Sequence, residues 1–185
     1  MYGMVNEALR AFLVAEFGEE GWEQVRKLAG VKLTHFLPMS SYDDAITYEL
    51  VGAASESQNV ESADLLRRFG RTWVQFARDN GFKELMDFTG GDLFGFLANL
   101  DVMHAGLEAS FRGYSAPSFR LDAGAGEGHY ELHYYSRREG LAPFVVGLLQ
   151  GAAELFGIPV RVEEIEGGDD HPVFSIVVQP SEQLA

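Results

Sequence analysis

The hydrophobic pattern of this chain changes after Pro117, and that change sets the order of its parts. Before it, apolar residues recur every three or four positions: Val5, Leu9, Phe12 and Leu13, then Trp22, Val25 and Leu28 up to Gly30. Such spacing lines one face of a helix. Ser41 is placed to cap a further helix, with Asp44 at its third position and Ala45, Tyr48, Leu50 and Val51 on its apolar side. Leu65, Leu66, Phe69, Trp73 and Phe76 predict a helix from about Glu61 to Arg78, with Gly81 beyond its end. Phe82 to Phe111 reads as two or three more helices, broken near Gly90 and Gly91.

After Pro117 the runs Ser118–Ala123, His129–Arg138, Val160–Ile165 and Val173–Val178 are alternating or β-branched and read as strands. One apolar helix, Leu141 to Phe156, lies between the second and third. The expected fold is α+β: an N-terminal helical part, then a four-stranded antiparallel sheet with one packed helix. No repeat or long linker divides the chain, so residues 1–185 form one domain, helical over about 1–60, with the sheet in the part from about 61 onward.

Composition narrows the function. Twenty-eight acidic residues against 14 basic ones give a net charge of −14, which repels phosphate backbones and anionic lipid heads. Nucleic acid and membrane surfaces are therefore not expected partners. The absence of cysteine excludes disulfides, iron–sulfur clusters, zinc-thiolate sites and thiolate-ligated or covalently attached heme. No segment approaches the ~18 consecutive apolar residues of a membrane span, so a soluble, cytoplasmic protein is expected. Fourteen Phe are enough to line a large apolar pocket. There is no P-loop, dinucleotide-binding glycine pattern or nucleophile elbow, and no acid–base constellation that would indicate an enzyme.

Two segments carry chemistry. Leu97, Leu100, His104, Leu107 and Phe111 form one helical stripe, which puts His104 on an apolar face. A lone histidine in such a place is more often a hydrogen-bonded core residue than a ligand. The second segment is Tyr134-Tyr-Ser136-Arg-Arg138. On a strand its alternate members share a face, ~7 Å apart, and present a phenol, a hydroxyl and a guanidinium. These donors suit two neighbouring carboxylates, such as the propionates of heme, each charge-assisted bond contributing roughly 1.5–3 kcal/mol. They equally suit an exposed polar strand face. His129 and His133 on a strand would lie ~13 Å apart and share no ion. His35 and His171, beside Pro-containing turns, are expected at the surface.

Tyr134-x-Ser136-x-Arg138 resembles the propionate-binding motif of the H-NOX family, heme domains that sense nitric oxide or oxygen. Asn99-Leu-Asp-Val-Met-His104 is similar to the segment bearing that family's proximal histidine, and Met1-Tyr-Gly-Met-Val-Asn-Glu-Ala-Leu9 to its first helix. Pro117 resembles the proline that presses on the heme and distorts it. The resemblance spans nearly the whole chain. It implies heme b between helices and sheet, His104 as axial iron ligand, propionates on Tyr134, Ser136 and Arg138, and a distal pocket of Val5, Leu9, Trp73 and Phe144. It further implies a sensor that has no activity of its own and signals through weakening or loss of the histidine–iron bond.

Oxygen-binding members carry a tyrosine on the helix after the propionate motif. Here that stretch holds Pro143, Phe144 and Gly147 instead. Losing such a donor, worth roughly 1.5–3 kcal/mol, lowers oxygen affinity by about ten- to a hundredfold. The expected ligand is nitric oxide, with carbon monoxide as a further possibility, and oxygen excluded; Trp73 or Gln150 as an unforeseen donor would give an oxygen sensor. Failing heme altogether, the alternatives are a metal-dependent enzyme or an apolar-ligand carrier. The chain stops soon after its last strand, so the expected output is a separate histidine kinase or diguanylate cyclase. Gly70, within a helical pattern, serves either as a hinge or as a close helix crossing.

Overall fold

The computed structural model describes residues 1–111, 113–166 and 171–180. Helix α1 runs Gly3–Leu28 with a kink at Gly18, whose φ of 73° is left-handed. It ends where Gly30 and Val31 return their N–H groups to the Lys27 and Arg26 carbonyls. Helix α2 spans Asp44–Gln58, α3 Ser62–Ala77, α4 Lys83–Thr89, α5 Leu93–Ala98 and α6 Leu100–Ser110. A single wide turn, Arg78–Phe82, joins α3 to α4. The sheet is built from β1 (Ser118–Ala123), β2 (His129–Tyr135), β3 (Val160–Glu166) and β4 (Val173–Val178), and α7 (Ala142–Leu155) precedes β3. All pairings are antiparallel, in the order β1-β2-β4-β3.

Two expectations need correction. Ser41 does not cap α2: its backbone bridges to Tyr2, and Asp43 caps instead, its Oδ1 accepting from Ala45 N–H at 2.9 Å. β2 stops at Tyr135 rather than Arg138. Ser136 leaves the ladder because its hydroxyl accepts the Arg138 N–H at 3.0 Å, a local bond that closes a turn.

Two apolar cores result. Leu9, Phe12, Trp22, Val25, Leu50 and Phe69 belong to one, formed by α1, α2 and α3. Phe96, Leu97, Leu132, Val145, Phe174 and Ile176 belong to the other, between α5, α7 and the sheet. Trp73 and Phe76 of α3 touch both.

The α3–α7 crossing decides the role of Gly70. A Cβ there would lie 2.1 Å from the Phe144 carbonyl oxygen, and one on Gly147 would lie 2.0 Å from that of Arg67. Backbone meets backbone, so Gly70 is a close-crossing residue. Gly70→Ala is expected to lower stability by about 1–3 kcal/mol, read as a reduced denaturant midpoint with unchanged slope.

Candidate functional site: an apolar cavity with one histidine

Where the two cores meet, the structure leaves a cavity of about 240 Å³. The start of α1 contributes Met4 and Val5, α3 contributes Phe69 and Trp73, and α7 contributes Phe144 and Leu148. Further lining comes from α4 to α6 and the sheet, including Leu97, Leu100, Met103, Phe119, Leu132 and Tyr134. The whole predicted stripe, Leu97, Leu100, His104, Leu107 and Phe111, reaches this lining, although Asn99 breaks it into two helices.

His104 Nδ1 lies 2.8 Å from the Leu100 carbonyl. A carbonyl only accepts, so Nδ1 carries the proton and Nε2 keeps its lone pair. Burial pushes the imidazole below the usual histidine range, against smaller opposing contributions from the Leu100 hydrogen bond and the Asp101 charge. The result is a neutral ring of fixed tautomer, the form that ligates a metal. Asp101, which the sequence did not single out, ties α6 to β1: its Oδ1 accepts from Ser118 Oγ at 2.6 Å and from Phe119 N–H at 3.1 Å. Those bonds, Ser118 first, hold its carboxyl below the ordinary aspartate range.

At the polar rim Arg138 lines the cavity while its Nε donates to Asp44 Oδ2 at 2.9 Å and its Nη1 to the Ser115 carbonyl at 3.1 Å. Nη2 has no protein partner among the described residues. Asp44 also receives the Met1 ammonium. Burial alone would raise the Asp44 carboxyl, but these two cations hold it below its ordinary value. Tyr134 is buried, its phenol pushed up by burial. Tyr114 shares the rim, and burial pushes its phenol up to about 12.

Of the residues singled out from sequence, His104, Tyr134, Arg138, Pro117, Val5, Trp73 and Phe144 are brought together around the cavity. Ser136 and Leu9 are not. Ser136 serves the Arg138 turn. Leu9 lies one helical turn beyond Val5, 2% exposed in the N-terminal core. On α7 the lining residues are Phe144, Val145, Leu148, Leu149 and Ala152, so Pro143, Gly147 and Gln150 stay outside. Asp44, Asp101 and Tyr114 were missed, having no motif to mark them.

The donor set fits a metalloporphyrin. Among the described residues no three histidine or carboxylate groups converge to hold an ion. A metal held by His104 alone needs its other donors from a cofactor, and a largely apolar slot with a guanidinium at its rim suits a flat apolar ring with acidic substituents.

Residues 2–164 match the family model described as Haem-NO-binding. Soluble guanylate cyclase gcy-35 of Caenorhabditis elegans is 31% identical over 83% of this chain and 22% of its own length. The guanylate cyclase soluble subunit beta-2 of Rattus norvegicus is 35% identical over 65% of this chain and 19% of its own. The chain thus spans about a fifth of these relatives. An H-NOX protein from S. oneidensis in the Fe(II) ligation state superimposes with a TM-score of 0.87 at 22% identity, covering 100% of both chains. An oxygen-binding H-NOX domain related to soluble guanylate cyclases gives 0.80 at 21% identity, over 97% of this chain and 96% of that one. The chain therefore belongs to the haem-NO-binding, or H-NOX, family.

Proposed function

We propose that this protein is a sensor that binds nitric oxide at ferrous heme b, excludes oxygen, and passes the signal to a partner protein. The observation carrying this reading is His104, a neutral imidazole of fixed tautomer in an apolar cavity whose rim presents Arg138 and Tyr134. When bound, heme would supply an iron able to take nitric oxide and to loosen its bond to His104 on doing so. His104 would ligate the iron through Nε2, oriented by its Leu100 hydrogen bond. Arg138 Nη2 and the Tyr134 phenol would hold the propionates, and Pro117 would press on the ring from the lining. Ser136 would join them at the propionates, its hydroxyl also accepting the Arg138 N–H that closes the turn.

Two ties carry a change at this site outward. Asp101 fixes the helix of His104 to β1, and Asp44 joins Arg138 to α2 and the chain start. A shift in the position of His104 therefore biases how the N-terminal helices sit on the sheet part. The partner would be a separate histidine kinase or diguanylate cyclase, and the net charge of −14 favours a basic docking face on it.

Selectivity rests on the lining of α3 and α7, where Trp73 alone carries a side-chain N–H. Its indole is packed by Phe69 and stacked 6.1 Å from Phe76. With no tyrosine on this wall and the Trp73 indole packed against Phe69 and Phe76, low oxygen affinity is expected. Phe144→Tyr is expected to raise oxygen affinity about ten- to a hundredfold, measured by equilibrium titration of the reduced protein. Tight oxygen binding by the unaltered chain, abolished by Trp73→Phe, would instead make it an oxygen sensor.

A further inference from the structure

We propose that the sheet face turned away from the cavity carries a divalent-metal site of the zinc or copper type, chelated by His133 Nδ1 and His171 Nε2 and steadied by Asp122. The two ring nitrogens lie 3.2 Å apart. An ion about 2.05 Å from each would see them at an angle of about 100°, near tetrahedral. His171 is expected at the surface from its sequence context; the β2–β4 pairing, in which His133 pairs with Val173, brings the two histidines together.

The surroundings prepare His133 as a ligand. Asp122 Oδ2 accepts from His133 Nε2 at 3.1 Å, so the proton sits on Nε2 and Nδ1 offers its lone pair. This is the carboxylate–histidine arrangement that orients metal ligands elsewhere. Tyr135 stacks on His171 at 4.2 Å and 13°, which fixes the second ring, and the planes of the two imidazoles are inclined by 26°. His133 is 14% exposed and Asp122 44%, leaving the pair within reach of solvent. Arg120 also donates to Asp122 Oδ2, at 3.0 Å, and competes for that carboxylate.

Two imidazoles favour zinc, copper or nickel over magnesium or calcium. Among the described residues no third histidine or carboxylate completes the set, so water fills the remaining positions and the ion exchanges readily. Side chains alternate along β2, and Leu132 and Tyr134 line the cavity, so His133 faces the other way. The site is thus independent of the heme reading.

The test is calorimetric titration of Zn²⁺ into the full chain at about pH 7.5, since protons compete with a metal for imidazole nitrogens. One zinc per chain is expected, lost in His133→Ala and in His171→Ala. Asp122→Asn should weaken binding by about ten- to a hundredfold. His129→Ala and His104→Ala should leave it unchanged, since His129 engages Ser175 at 2.9 Å and His104 belongs to the cavity. Absence of zinc binding, or binding undiminished in His171→Ala, would overturn the proposal.

Discussion

Replacing His104 by alanine is expected to leave a folded chain that no longer retains heme. The side chain makes one hydrogen bond, to Leu100, and one ring contact, 5.0 Å from Phe119. Losing these costs about 1 kcal/mol, small beside a typical total of about 5–15 kcal/mol. The same change removes the only protein ligand proposed for the iron. Heme recovered with the purified protein should fall by at least about tenfold, equivalent to about 1.4 kcal/mol or more. Free imidazole, entering the space vacated, should restore the histidine-type absorption spectrum. A core histidine without a ligand role would show the small stability loss and no spectroscopic rescue. The direction of the pKa adds a check: because burial holds the His104 imidazole below the usual histidine range, its coordination should persist at mildly acidic pH, where exposed histidines take up protons.

Arg138→Ala is expected to reduce heme affinity by about ten- to a hundredfold, the loss of one charge-assisted carboxylate bond of roughly 1.5–3 kcal/mol. Folding stability should change far less. The ion pair with Asp44 is 19% exposed on the arginine side and 39% on the aspartate side, and solvent screening holds such pairs to about 1 kcal/mol or below. Asp44→Ala separates the two roles. It releases Arg138 from α2 while leaving its guanidinium at the rim, so heme affinity should be largely kept and only the coupling to the N-terminal helices reduced. Heme titration of the two variants side by side reads the difference. Equal losses in both would mean that the arginine acts through its salt bridge alone.

Much of this architecture is legible in the sequence, because hydrophobic period reports which face of an element is buried. The change of period after Pro117 marks helices before and sheet after, and the stripe from Leu97 to Phe111 marks a wall of the cavity. What escaped was set by local competition or by distance. Alternation through Arg138 assumed a strand, whereas the Ser136 hydroxyl took the Arg138 N–H and made a turn, leaving Arg138 at the cavity without Ser136. Val5 and Leu9 share a helical stripe, but only the first turn of α1 reaches the cavity. Asp44 meets Arg138 across 94 residues and His133 meets His171 across 38, pairings created by tertiary packing and carrying no periodic signal.

The central claim is tested most directly by the absorption spectrum of the reduced, heme-loaded chain without oxygen, recorded before and after adding nitric oxide, with a parallel sample in air. The expected result is a five-coordinate, histidine-ligated spectrum that shifts with nitric oxide and shows no stable oxygen-bound form in air. Failure of a demonstrably folded chain to take up heme would contradict it.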